Sequence, residues 1–338
     1  MTGMFSSLEI GFLVIFLVLM ITVFSVIGRE KWKRKHIVSM ASSSRDLTEK
    51  DFKSFSPPMI AQLIYGRGAY TRHITAGLLN LVRKRMLTLK EDERGPSYYF
   101  SVEGVEEKTT SKSEQYLIDW ILFEVGQNGV FYVDDLFVYT EGKHQRDIFI
   151  QRLYEWEETM KLELKTKGLL NMFPSYKRVL LMLSVVMILL GSGFIIASPL
   201  LSILYLVAGI ATFITMLSVS SKTFAGQLEY QKWQPFIEEL TTSPEKKDEQ
   251  WLTASFVYAI AFGLKEDYLS HFPIREASQV SLQDERFPLY FAMAPGATAI
   301  SLEGKNMVDD LEASLDKVIS PIAHSENDIE NEFNDFSE

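Results

Sequence analysis

The sequence predicts a mainly α membrane protein, with three transmembrane helices and a cytoplasmic winged-helix-like α+β block. Three observations carry this. Ile10–Gly28 is apolar and free of charge, Val179–Ser221 is a second uncharged stretch of 43 residues, and between them helical periodicity gives way to a hairpin signal.

Nineteen residues from Ile10 to Gly28 cover roughly 28 Å as a helix, about the thickness of a bilayer's hydrocarbon core. A cleaved signal peptide is disfavoured, because Glu9 rather than a basic residue precedes the run and no small-residue cleavage site follows. Residues 1–28 are therefore expected to be an anchor. Arg29, Lys31, Lys33, Arg34 and Lys35 follow it, which by the positive-inside rule places the N-terminus outside. The second stretch suits two helices, near 179–197 and 200–219, broken at Ser198-Pro199. Lys177, Arg178 and Lys222 flank this 179–219 hairpin, so both of its ends and the C-terminus are expected in the cytoplasm. No Asp, Glu, Lys, Arg or His lies inside the spans, which argues against a transporter or pump. Gly191, Ser192, Gly193, Gly209 and Ala211 are small enough to let helices approach, most simply within the hairpin itself.

The first cytoplasmic block is placed at 45–177, after a Ser39–Ser44 linker. Pro57-Pro58 opens a helix that Gly66 and Gly68 end, and a longer amphipathic helix follows from Thr71 to Lys84. Met86–Lys90 and Ser97–Val102 flank a polar turn, giving helix, helix, hairpin. A second stretch reads as a helix from Ser113, a strand Val130–Val133, a small helix Leu136–Tyr139 and a long helix Lys143–Lys165, so the block holds either one unit or two in tandem. Arg72, His73, Arg83, Lys84 and Arg85 are the candidate interaction residues. The wing carries Glu91, Asp92 and Glu93 where a DNA-binding wing offers bases, so a solvated face or a protein partner is preferred to DNA.

The second block, 222–320, contains helices near Phe224–Leu240 and Lys247–Leu264, an irregular stretch Phe272–Thr298, and an amphipathic helix over 302–319. Residues 321–338, with six acids and no base from Ser325 to Glu338, are expected to be disordered. The net charge of −10 is unlike that of a nucleic-acid binder. Absence of cysteine removes disulfides, thiolate metal sites and cysteine nucleophiles. His36, His73, His144, His271 and His324 show no ligand spacing, no phosphate-binding or nucleophile motif is present, and adjacent Asp134-Asp135 and Glu157-Glu158 diverge on a helix. No enzymatic activity and no cofactor is expected.

Trp233-x-x-Phe236-x-x-x-Leu240, then Trp251-Leu252 and Tyr258-Ala259-Ile260-Ala261-Phe262-Gly263, resembles the segment after the last membrane helix of the YciQ-like predicted bacterial membrane proteins, a group built around a domain of unknown function. Pro57-Pro58 with Ala76, Leu79, Leu81, Leu87 and Leu89 is similar to that family's cytoplasmic block. The resemblance covers roughly residues 55–265 and implies fold and location but no catalytic residues. Fuller members carry an extracytoplasmic β-rich domain before the first span, where about nine residues stand here, so the resemblance implies a short form as the expectation.

The functional expectation is a non-enzymatic membrane scaffold or regulatory protein presenting a cytoplasmic docking surface. Its partners are the bilayer and other membrane or cytoplasmic proteins. The alternatives are a membrane-anchored DNA-binding regulator or an accessory subunit of an exporter or envelope-stress system.

Overall fold

A computed structural model describes residues 7–41, 47–66, 69–91, 98–102, 111–171, 174–196, 198–218, 221–242, 249–276, 291–294 and 297–335. The chain divides into two compact units. One comprises Met1–Arg45 and Lys167–Gln231, the other Asp46–Thr166 and Lys232–Glu338.

The first unit holds three helices long and apolar enough to cross a membrane: α1 (Ser7–Ala41), α8 (Ser175–Gly193) and α9 (Pro199–Ser218). The span in α1 runs from Glu9 to Lys33, and the helix continues through Ala41, where Arg34, Lys35, Met40 and Ala41 are good helix formers. Helix therefore takes Ser39–Ala41, where a linker was expected; 42–44 lie outside the described residues. Glycines let α8 and α9 meet closely. A Cβ on Gly209 would stand 2.8 Å from Ile188 Cγ1 and 3.2 Å from its backbone nitrogen, and one on Gly191 2.8 Å from Leu206 Cγ. Two hydroxyls cross this contact: Ser184 donates to the Gly209 carbonyl at 3.0 Å and Ser202 to that of Gly191 at 2.7 Å. Burying them without a partner in an apolar medium would be costly. α1 lies against the hairpin through Phe16, Leu19, Met20 and Val23, and Tyr205 donates to the Phe12 carbonyl at 2.8 Å. At the opposite end the chain entering α8 is tied to the chain leaving α9, Asn171 N–H donating to Ser221 at 2.8 Å and Thr223 N–H to Leu169 at 3.0 Å.

The second unit contains α2 (Glu49–Ser54), α3 (Pro57–Tyr65) and α4 (Thr71–Arg83), then β1 (Thr88–Glu91) and β2 (Tyr98–Ser101). Proline at the first helical position starts α3, and Gly66, at φ 63°, ends it in the left-handed region. α5 (Lys112–Ile118) is capped by Ser111 and runs into a π-helical turn, Asp119–Val125. β3 (Val130–Tyr132), α6 (Asp135–Tyr139) and α7 (Lys143–Thr166) follow. β3 pairs antiparallel with β2, so the sheet order is β1-β2-β3 and the second stretch of the block completes the sheet begun by the first. Leu89, Phe100 and Phe131 lie in register across it and are buried.

The chain returns to this unit within α10 (Phe224–Thr241), at Lys232. α11 (Glu249–Phe262) and α12 (Lys265–Leu269) follow. The apolar run of α11 is buried from Leu252 to Phe262, packed on α3 and α4, which is why a helix so apolar need not enter a membrane. Strands occupy part of the stretch expected to be irregular: β4 (Ile274–Arg275), β5 (Phe291–Ala294) and β6 (Ala297–Ser301), in the order β4-β6-β5. They are too short for alternation to show in sequence; 277–290 lie outside the described residues. α13 (Leu302–Asp335) runs on into the stretch expected to be a disordered tail. Glutamates, which favour helix, and the absence of Gly or Pro beyond Pro321 let it extend.

Candidate functional site

The two groups of residues singled out in the sequence, the basic set of α4 and the aromatic set of α10 and α11, meet in the second unit where α4 packs on α11. Their centre is Phe52, a lone aromatic in the charged helix α2, with a relative exposure of 2%. Its ring stands edge-on to Trp251 at 4.8 Å, Tyr258 at 5.1 Å, Phe236 at 5.4 Å and Trp233 at 5.8 Å. Trp233 stacks on Tyr258 at 5.0 Å, and Leu240 is buried one turn beyond Phe236. Edge-on and offset aromatic pairs contribute about 0.5–1.5 kcal/mol each beyond area burial. The Tyr258 hydroxyl donates to the Phe55 carbonyl at 2.5 Å, and burial pushes its phenol far above the ordinary tyrosine range.

The basic residues do not form an exposed face. Arg83 turns inward, donating through Nη2 to the Phe52 carbonyl at 3.2 Å and to Asn80 Oδ1 at 2.9 Å; burial lowers its pKa. Lys84 pairs with Glu114 at 2.6 Å, its side chain 12% exposed and the glutamate's 6%, and Asn80 donates to the same oxygen at 3.2 Å. His73 is buried. Its Nδ1 accepts from Tyr70 N–H at 2.9 Å, which leaves the ring proton on Nε2. Burial holds His73 well below its ordinary pKa, at about 3, with the charge of Arg72 adding to the effect and the Ala261 backbone opposing it. Arg72 sits over the Tyr70 ring at 5.0 Å and close to Gly263, where a Cβ would lie 2.9 Å from Nη1. Gly263 also ends α11 at φ 73°, its N–H donating to Ile260 and that of Leu264 to Ala259, a closed C-terminal cap. Arg85 alone of the five is exposed.

Helical wheel reasoning places Arg83 and Lys84 at the end of an amphipathic helix and so in solvent. Their partners are the reason for the correction: Phe52 is 31 residues away and Glu114 is 30, and neither is visible from α4 itself. Sequence reasoning missed Phe52, Asn80 and Glu114. The one available signal was an unaccompanied phenylalanine in a charged segment. Among the described residues, no group of three or more His, Asp or Glu is placed to hold a metal ion. The junction draws in Lys84 and Glu114 as an ion pair and seats Arg83 on the Phe52 carbonyl and Asn80. Its chemistry is that of a clasp between two distant parts of the chain.

The family model described as Predicted membrane protein (DUF2207) C-terminal domain matches residues 51–272. The chain belongs to this family. The match begins one residue before Phe52 and ends beyond α12, so the DUF2207 region takes in the clasp and the α8–α9 hairpin alike. No curated protein matches the chain. No solved structure matches it either.

Proposed function

We propose that this DUF2207 protein is a non-enzymatic membrane scaffold or regulator whose second unit docks a protein partner at the inner membrane face. The observation that carries the reading is an apolar surface of that unit. On α6, Phe137 and Val138 are 65% and 70% exposed, and Phe123 of the neighbouring π-helical turn is 53% exposed. Apolar side chains exposed on adjoining elements are the kind of surface that a protein partner covers. The inner location rests on Arg29, Lys31, Lys33, Arg34 and Lys35 after the first span, with Lys177, Arg178 and Lys222 around the hairpin, which favour an outside N-terminus and a cytoplasmic C-terminus.

We read the α3-α4-β1-β2 order, joined by β3, as winged-helix-like, and the chain as YciQ-like. In such a module the natural alternative partner is DNA, but Arg72, His73, Arg83 and Lys84 lean into the clasp and lend that alternative no support. The test is a photo-crosslinker placed at Phe137 in the full chain in native membranes. A discrete heterologous adduct, lost with Val138→Glu, is the expected result. Recovery of only the protein itself would remove the docking reading.

A further inference from the structure

Within the first unit, a cleft of roughly 500 Å³ opens where the ends of the three spans come together. α1 contributes Trp32, Lys33 and His36, the start of α8 contributes Tyr176, and the segment entering α10 contributes Lys222 and Phe224. Lys222 holds its ammonium over the Tyr230 ring at 4.0 Å, and Lys33 pairs with Glu30, the one acid among the described residues lining the cleft, at 3.0 Å while staying half exposed. Arg29, Lys31 and Lys35, all exposed on α1, add positive charge alongside. The site lies at the depth where the apolar spans stop. There aromatic rings belong at the headgroup level, and basic pockets between membrane helices suit anionic headgroups. A soluble acidic ligand would need no aromatic rim at that depth.

We propose that this cleft binds the phosphate headgroup of an anionic phospholipid, with Lys33 and Lys222 on the phosphate and Trp32, Tyr176 and Phe224 against the glycerol and upper acyl chain. The proposal rests on the membrane-embedded reading of the three spans but not on the protein-docking role. Trp32 is the single tryptophan of this unit, so it reports the site. The full chain is reconstituted in phosphatidylcholine–phosphatidylglycerol vesicles in which one lipid or the other carries brominated chains. The quenching assigned to Trp32 is the difference from a Trp32→Phe control.

At equal mole fraction, brominated phosphatidylglycerol is expected to quench Trp32 more than brominated phosphatidylcholine. Lys33→Gln and Lys222→Gln should each lower the preference about ten-fold or more, the scale of one lost hydrogen bond to a charged group. Lys31→Gln, the same charge change outside the cleft, should lower it by about five-fold at most, the diffuse effect of one lysine on an anionic surface. Equal quenching by both lipids would overturn the proposal, and equal losses in all three variants would reduce it to diffuse attraction without a site. Quenching by neither lipid would take down the membrane-embedded reading itself.

Discussion

The two units solve the same problem, holding helices together, with opposite materials. In the membrane unit the α8–α9 contact uses glycines and serine hydroxyls, while leucines, isoleucines and valines face outward: Ile196, Leu200 and Leu189 are among the most exposed large hydrophobic residues described. In the second unit large aromatics fill the interior and charged groups are drawn in behind them. Lipid chains are as apolar as leucine, so burial of leucine gives helices in a bilayer no reason to associate, and close backbone approach does that work instead. In water, burial is the main favourable term, and an aromatic cluster supplies it with few residues.

The contrast can be broken most sharply at its aromatic end. Trp233→Ala is expected to destabilise the second unit by about 3–5 kcal/mol, read as a lower denaturant midpoint in detergent-solubilised full chain. The membrane unit should keep its helicity in the same sample; simultaneous loss of both would show that the two share one cooperative transition. Next in size, Gly209→Val should cost about 1–3 kcal/mol, because the nearest rigid obstacle is the backbone of Ile188 and the hairpin cannot simply rotate a side chain away. Resistance to SDS unfolding measures it, and an unchanged midpoint would mean that the hairpin does not need that close approach.

A pH titration then separates the units by chemistry. His73 is neutral in the folded protein, with its pKa held near 3 against 6.5 for the free side chain. The unfolded chain therefore takes up a proton that the folded one refuses, so stability falls as pH drops from about 6.5 towards 3. Between pH 7 and pH 5 the loss is about 2 kcal/mol. Denaturant midpoints at the two values test this in the wild type and in His73→Phe, where the slope from this residue should vanish. The smallest effect belongs to the bilayer: Ser184→Ala should cost only about 0.6 kcal/mol, since a serine freed in the membrane finds another carbonyl. A loss above about 2 kcal/mol there would erase the distinction between the units.

Much of this was legible in the sequence. Uncharged runs of the right length revealed all three spans, and the Pro57-Pro58 start, the Thr71–Arg83 periodicity and the hairpin signal located α3, α4, β1 and β2. What escaped was set by distance along the chain. Arg83 looks solvated until the Phe52 carbonyl is brought to it, and Lys84 until Glu114 is. The joining of the blocks on either side of the hairpin escaped for the same reason: Trp233 and Tyr258 carry no mark saying that their partner is Phe52. β4 was hidden differently, being two residues long and paired in parallel with a strand some 25 positions on.

The route of the chain has a consequence for how the protein is made. Residues 46–166 leave the ribosome before the hairpin, and Lys232 onward after it. At typical rates of synthesis, about 5–20 residues per second, the stretch from Lys167 to Gln231 takes roughly 3–13 s to appear. Throughout that interval Phe52 has none of its four aromatic neighbours, and the Tyr258 hydroxyl that will bond the Phe55 carbonyl does not yet exist. Synthesis of α8 and α9 thus precedes completion of the second unit, so a nascent chain that stalls after the hairpin leaves that unit half-built.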